Sequence, residues 1–405
     1  MRDVELFQMA LGLESPWYVD RTEFDAEGRR LDLYLDFRKG GRFQCPECGA
    51  GGCPAHDTTE KSWRHLNFFQ HEAHLHARIP RVQCEACGVK LVEVPWARPG
   101  SGFTLLFEAM VLAMVKSMPV AAVARMIGEH DTRIWRVVHH YVEQARDEVS
   151  HAGLRRIGVG ETSLKRGHHY LTLFVDLDEP RVLFATEGRE AETFGAFRED
   201  LEAHDGDPDG IWEVCMDMSP AYRKGRREHL PNARTTFDRF HVVKLINEAV
   251  DQVRRAERKE ALELKRTRHL WLKNTSNLSQ PQQRLLDQLL LDQTHLRTVK
   301  AYQMKLAFQD FWDLPQVEAP RFLDAWCDWV RDSGLEPMMR FVQTAERHRD
   351  GILRWFQTRI SNGLLEGLSS LVQAAKARAR GYRSTRNLVA MIYLMYGKLP
   401  ILQPM

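Results

Sequence analysis

Two cysteine knuckles constrain this chain more than any other feature: Cys45-x-x-Cys48 and Cys84-x-x-Cys87, each followed directly by a glycine, Gly49 and Gly88. Such knuckles supply four thiolates at tetrahedral spacing, and the glycine permits the tight turn that aims each pair. Five of the seven cysteines fall within residues 45–87. With no signal-like segment at Met1–Leu13, that clustering reads as one structural Zn²⁺ in a reducing compartment rather than a disulfide framework. The 35 residues between the knuckles should carry strands, as in a zinc ribbon with an inserted hairpin. Cys53, His56, His65, His71, His74 and His76 lie in that gap. They read as surface or strand residues, with a substitute ligand among them as the alternative.

The length, 405 residues, implies two to four domains. No apolar run approaches membrane-spanning length, so a cytoplasmic protein without a membrane partner is expected. The 57 basic and 55 acidic residues nearly cancel, so any electrostatic footprint must be local. Residues 1–100 are rich in short apolar runs such as Leu31–Phe37, whereas 102–150 follow a helical period. Period-two patterns then predict strands at Ile157–Glu161, His168–Leu177, Val182–Thr186, Ile211–Met216 and Ala233–Phe237. Helices are expected at Ala191–Ala203 and Pro220–Arg227. From Phe240 to about Asp350 the chain reads as helical, with Trp271, Trp312, Trp326 and Trp329 as anchors and Arg254–Arg268 as a charge-laced exposed helix. Leu364–Tyr396 is a last helical section.

Three further constellations carry chemistry. Pro119–Ile127, a turn at Gly128 and Thr132–Tyr141 have helix-turn-helix spacing, with Asp131 as N-cap and Thr132, Arg133 and Arg136 facing outward for phosphate and base-edge contacts. Helix pairs of this kind are also common in proteins that do not bind DNA. Asp217, after the strand Ile211–Met216, and Glu366, near the start of a helix, are residue types that can hold Mg²⁺ for phosphoryl transfer. Lys376, Arg378, Arg380, Arg383 and Arg386, with Tyr382 among them, suit a phosphate-tracking surface, the alternative being a solvated helix face.

These stretches together resemble the transposases of the ISL-three insertion-sequence family: Cys45-Pro46-Glu47-Cys48-Gly49, Met216–Tyr222, Phe237–Lys244, Ser361–Gly367 and Arg380-Gly381-Tyr382-Arg383. The resemblance implies a multidomain α+β and α/β chain. It would comprise a zinc ribbon (1–100), a helix-turn-helix (101–153) and an RNase H-like DDE catalytic domain in two parts (154–244 and 351–405), interrupted by an all-helical insertion (245–350). It also implies Mg²⁺- or Mn²⁺-assisted DNA strand cleavage and transfer, binding of terminal inverted repeats and of target DNA, and a homo-oligomer that pairs two ends. Asp217 and Glu366 take the second and third carboxylate positions, and Asp238 and His241 match a D-x-x-H element expected near the active site.

One departure counts against activity. The family's first catalytic Asp falls in the pattern Ile-Gly-Val-Asp-Glu-Thr-Ser, and this chain has Ile157-Gly158-Val159-Gly160-Glu161-Thr162-Ser163. Gly160 brings no carboxylate. Alternation along a strand should turn Glu161 to the opposite face, which makes Asp176 on the next strand the better-placed substitute. The expectation is a DDE transposase by architecture, impaired in catalysis. Its rivals are a transposase-derived DNA-binding protein or repressor and, well behind, a junction nuclease.

Overall fold

Alternation of apolar and polar residues over two long segments builds the first half of the molecule. In Arg30–Phe37, Leu31, Leu33 and Leu35 are buried, and in His71–Cys84 the same holds for Ala73, Leu75, Ala77 and Ile79. Each therefore gives one face to a core and one to solvent. The computed structural model describes residues 3–165, 167 and 169–400. It comprises two compact units, one running to Ala145 and the other spanning Arg146–Leu399.

The first unit opens with α1 (Asp3–Ala10), followed by β1 (Trp17–Asp25), β2 (Arg30–Phe37), β3 (Arg42–Phe43), β4 (Cys53–Phe68), β5 (His71–Cys84) and β6 (Gly88–Leu91). They form one sheet in the order β1-β2-β5-β4-β3, with β6 on β5. Strands β4 and β5 are the hairpin expected between the knuckles. His74 and His76 alternate away from the core, and His76 bonds Asp32 at 2.5 Å and Ser62 at 2.8 Å, which makes them strand-face residues. Trp17, Trp63 and Trp96 pack edge to face beneath the sheet.

Three helices follow: α2 (Leu105–Ser117), α3 (Val120–Ile127) and α4 (Asp131–Asp147). Gly128 ends α3 with φ +72°, a left-handed cap that glycine adopts without cost. Helix α4 starts at Asp131 itself, one residue before the expected Thr132, and the Thr132 amide donates to the His130 ring at 3.3 Å. It also runs six residues beyond the expected Tyr141, since Val142 and Ala145 continue its buried stripe. Fully buried Glu108 joins α2 to α4: Arg98, Ser101 and the Tyr141 hydroxyl all donate to it, at 2.7–3.0 Å.

The second unit is built on five strands, β7 (Arg156–Lys165), β8 (His169–Asp176), β9 (Arg181–Glu187), β10 (Glu213–Met216) and β11 (Arg234–Phe237). The order is β11-β10-β7-β8-β9. Strands β7, β8 and β9 are antiparallel neighbours, while β10 runs parallel to both β7 and β11. All five expected strands are present; His168, the expected start of the second, lies outside the described residues, as do Met1, Arg2 and 401–405. Helices α5 (Glu192–Ala203) and α6 (Pro220–His229) connect the strands. After β11 come α7 (Arg239–Glu257), α8 (Arg268–Leu272), α9 (Gln280–Asp292), α10 (Arg297–Asp310), α11 (Ala319–Asp332), α12 (Glu336–Arg347) and α13 (Arg349–Thr358). Two closing helices, α14 (Gly363–Arg378) and α15 (Thr385–Tyr396), contact β7 and β9 respectively.

The helical stretch departs from expectation twice. Trp271, Trp312 and Trp326 are buried anchors, but Trp329 is 39% exposed, because the buried stripe of α11 runs through Leu323, Trp326, Cys327 and Val330. Within Arg254–Arg268, Arg254 and Glu257 are buried. Glu257 accepts the first amides of α10, from Arg297 and Thr298, both at 2.7 Å. A carboxylate at a helix N-terminus satisfies amides that have no partner within the helix, so this glutamate is a packing element rather than a solvated charge.

Candidate active site and metal-binding clusters

The four knuckle cysteines converge: one sulfur from each lies within 4.8 Å of the others. Gly49 and Gly88, both at φ +73°, supply the turns. The Cys48 and Cys84 sulfurs are 3.6 Å apart, close to the roughly 3.8 Å that tetrahedral Zn–S bonds of about 2.3 Å would set. Backbone amides of Cys87 and Ala86 hold the Cys84 thiol down to about 7, favouring its thiolate. The donor set fits Zn²⁺ or another thiophilic ion. Cys53 is buried nearby but lies outside the tetrad, with its sulfur toward the Ala50 carbonyl.

In the second unit the strand ends assemble an acidic group. Cys215 pairs with Gly158, so Asp217 and Gly160, each two residues farther along parallel strands, lie level on neighbouring strands. Asp238 follows β11 and is 1% exposed. Its carboxylate accepts from the Asn362 amide at 3.3 Å and from His241 Nδ1 at 3.1 Å. Glu366, in the first turn of α14, completes the group: Asp238, His241 and Glu366 each place a ligand atom within 4.8 Å of the other two. The hydrogen bond to Asp238 raises the His241 pKa. Burial raises that of Glu366, and the Asp238 charge raises it further. Two carboxylates and one imidazole gathered this closely are a donor set that favours an added cation.

Position 160 faces α14. A Cβ built on Gly160 would come within 2.5 Å of Leu365 Cδ2, a methyl that occupies the space of the missing side chain. Asp176 does not reach this region. It pairs with Ile157, three residues or about 10 Å along the strand from Gly160. Its carboxylate is also engaged, accepting from the amides of Asp178 and Glu179 and pairing with Arg181 at 3.4 Å. The expectation that Asp176 substitutes is thereby corrected. Glu161 is turned away from Leu365, yet its pKa is raised by burial and by the charge of Asp217.

Of the expected DNA contacts, Thr132 and Arg136 are exposed. Arg133 is not free to face outward: it pairs with Glu129 at 2.5 Å and lies over the Phe103 ring at 4.1 Å. Lys376 likewise ties α14 to β7 through the Ser163 carbonyl at 2.6 Å. Arg378, Arg380, Arg383 and Arg386 are exposed.

A basic feature absent from the sequence reading lies beside α6 and β11. Arg223, Arg226, Arg227, Arg234, Arg347 and Arg354 line a cavity of about 870 Å³. Arg223 and Arg226 each bury an Nε that has no acceptor among the described residues. Burial lowers the pKa of both, and neighbouring arginines lower it further, Arg347 and Arg227 for Arg223 and Arg227 for Arg226. These six arginines come from four segments spread over more than a hundred residues, and only Arg223, Arg226 and Arg227 fall in a local basic run.

The comparisons with known proteins bear on the whole chain. A family model described as transposase, of the ISL3 DDE type, matches residues 157–392. The chain belongs to the ISL3 family of transposases. A helix-turn-helix model of the same family matches residues 92–142, and a zinc-finger model of transposases IS204/IS1001/IS1096/IS1165 matches 41–87. The transposase for insertion sequence element IS1001 of Bordetella parapertussis is 30% identical over 400 residues, covering 95% of this chain and 96% of the relative. That for IS1557 of Mycobacterium tuberculosis is 27% identical over 434 aligned residues, covering 97% and 96%. The ISL3 models thus fall on the cysteine tetrad, on the α3–α4 pair and on the strands and closing helix that bring in Asp217, Asp238 and Glu366.

Proposed function

We propose that this ISL3 transposase binds the terminal inverted repeats of its element and is impaired in the Mg²⁺-dependent strand cleavage and transfer that its architecture serves. The observation that carries the reading is at position 160, which stands level with Asp217, has no carboxylate, and is closed over by Leu365. The strand order, three antiparallel strands flanked by two parallel ones, supports an RNase H-like domain. The seven helices between β11 and α14 support a helical insertion.

Asp238, Glu366 and His241 fit one hard cation, with Asp217 on the adjoining strand end. The residues present do not fit a two-ion site, because the carboxylate expected to bridge the ions is missing and Asp176, engaged elsewhere, does not make up the deficit. End binding is assigned to the zinc ribbon, with Zn²⁺ on Cys45, Cys48, Cys84 and Cys87, and to the helix-turn-helix through Thr132 and Arg136. The arginine-lined cavity and the exposed arginines after Glu366 suit the backbone phosphates of element or target DNA. A homo-oligomer follows from the need to pair two ends.

The test is a strand-cleavage assay in Mg²⁺ on DNA bearing the element's own ends, comparing the chain as it stands with Gly160→Asp and with Gly160→Asp combined with Leu365→Ala. Binding without cleavage by the present chain, and cleavage on restoring the aspartate, is the expected result. Equal cleavage by all three would show that another group completes the site. If none cleaves while all bind, the repressor-like reading gains.

A further inference from the structure

A second set of metal-type donors lies in the Arg146–Leu399 unit, separate from the carboxylates at the strand ends. Asp200 and His204 sit four residues apart in the last turn and C-cap of α5, on one face. His151, in the segment leading into β7, is brought against them by its own amide, which donates to the His204 carbonyl at 2.7 Å. The two imidazole rings are 5.3 Å apart. One ligand atom from each of His151, Asp200 and His204 lies within 4.8 Å of the other two.

The hydrogen bonding around this group is complete on its outside and unfinished on its inside. His204 Nδ1 donates to the Asp200 carbonyl at 2.6 Å and lies 3.7 Å from Asp200 Oδ2, so in the neutral ring the lone pair open to a ligand is on Nε2. Arg146 pairs with Asp200 Oδ1 and steadies the carboxylate, while Asp200 Oδ2 is buried and receives no hydrogen bond from the protein. His151 is 3% exposed, and among the described residues neither of its ring nitrogens has a hydrogen-bond partner. Buried polar atoms are nearly always partnered, so an unpartnered carboxylate oxygen beside an unpartnered imidazole calls for a ligand that accepts a lone pair from each. An outer carbonyl holding one imidazole and an outer cation orienting the carboxylate are the kind of arrangement that supports metal-binding side chains.

We propose that His151, Asp200 and His204 bind a divalent transition metal, zinc by the chemistry of two imidazoles and one carboxylate, with water as fourth ligand. Magnesium is disfavoured because it takes oxygen donors. The ion would fasten the C-terminal end of α5 to the entry of β7, the strand that carries Gly160. Its role is structural, and it makes this chain a two-zinc protein, one ion per unit.

The test counts metal in the full chain, loaded with zinc, desalted and measured by mass spectrometry. Two zinc ions per chain are expected, falling to one in Asp200→Asn and in His204→Gln, with the thermal unfolding midpoint of the unsubstituted chain rising on zinc addition. Cobalt substitution should add a second, weaker visible absorption to the intense thiolate bands, and each variant should lose only the weaker one. One zinc per chain with no second cobalt spectrum overturns the proposal. Two zinc ions retained in both variants does so equally. Asp200→Asn preserves shape, so it serves where His204→Gln fails to fold.

Discussion

Gly160 and Leu365 form a pair in which each residue determines what the other can be. Any side chain at 160 must displace the Leu365 methyl that a Cβ would meet at 2.5 Å. Gly160→Asp alone should therefore destabilise the second unit by about 1–3 kcal/mol through overpacking. Leu365→Ala in the same chain should recover much of that loss, and urea unfolding of the single and double variants measures both. His65 allows a prediction in pH. Burial pulls its pKa down to about 4, with Arg64 adding to the effect. Below its unfolded value near 6.5 the unfolded chain takes up a proton that the folded chain refuses. This histidine's share of stability is therefore intact above about pH 6.5 and falls as pH drops toward 4, at up to roughly 1.4 kcal/mol per pH unit. His65→Gln should flatten that slope in denaturation curves recorded between pH 4 and 7.

Between elements, buried ion pairs carry much of the register. Glu108 joins α2 to α4 with its charge fully buried and three side chains donating to it. Glu108→Ala should cost about 3–5 kcal/mol, because Arg98 is left uncompensated. It should also loosen the α3–α4 pair, readable as accelerated amide exchange in α4. Elements of this kind mark the limit of what the sequence discloses. The cysteine knuckles, the Gly128 turn and all five strands of the second unit were legible, because their signals are local spacing and period. The destinations of Arg133, Lys376, Arg254 and Glu257 were not, since a charged residue's partner is fixed by tertiary approach and its own neighbours do not report it. Asp176 failed as a substitute for the same reason: the antiparallel register of β7 and β8 sets it against Ile157 instead of Gly160. His151 gave no signal, and of the six-arginine cavity only the run Arg223–Arg227 is local, the other arginines arriving from separate segments.

At the scale of the molecule, the first unit should depend on its metal. Removing metal from the Cys45, Cys48, Cys84 and Cys87 site should unfold the β4–β5 region, since that binding free energy is folding free energy. Limited proteolysis should then cut within residues 41–87 first. DNA binding should require residues 1–150 and fall by about 10³- to 10⁵-fold between 50 and 200 mM salt if six to ten phosphates are contacted. A fragment beginning near Arg155 that bound element ends with the same preference would contradict this division.

The dispersal of the acidic cluster over β10, β11 and α14 has a consequence in time. Synthesis completes the cysteine tetrad at Cys87, whereas the acidic cluster waits for Glu366, 279 residues later. At about 5–20 residues per second, a nascent chain on the ribosome holds a completed cysteine tetrad for roughly 14 to 56 seconds before its carboxylates can meet.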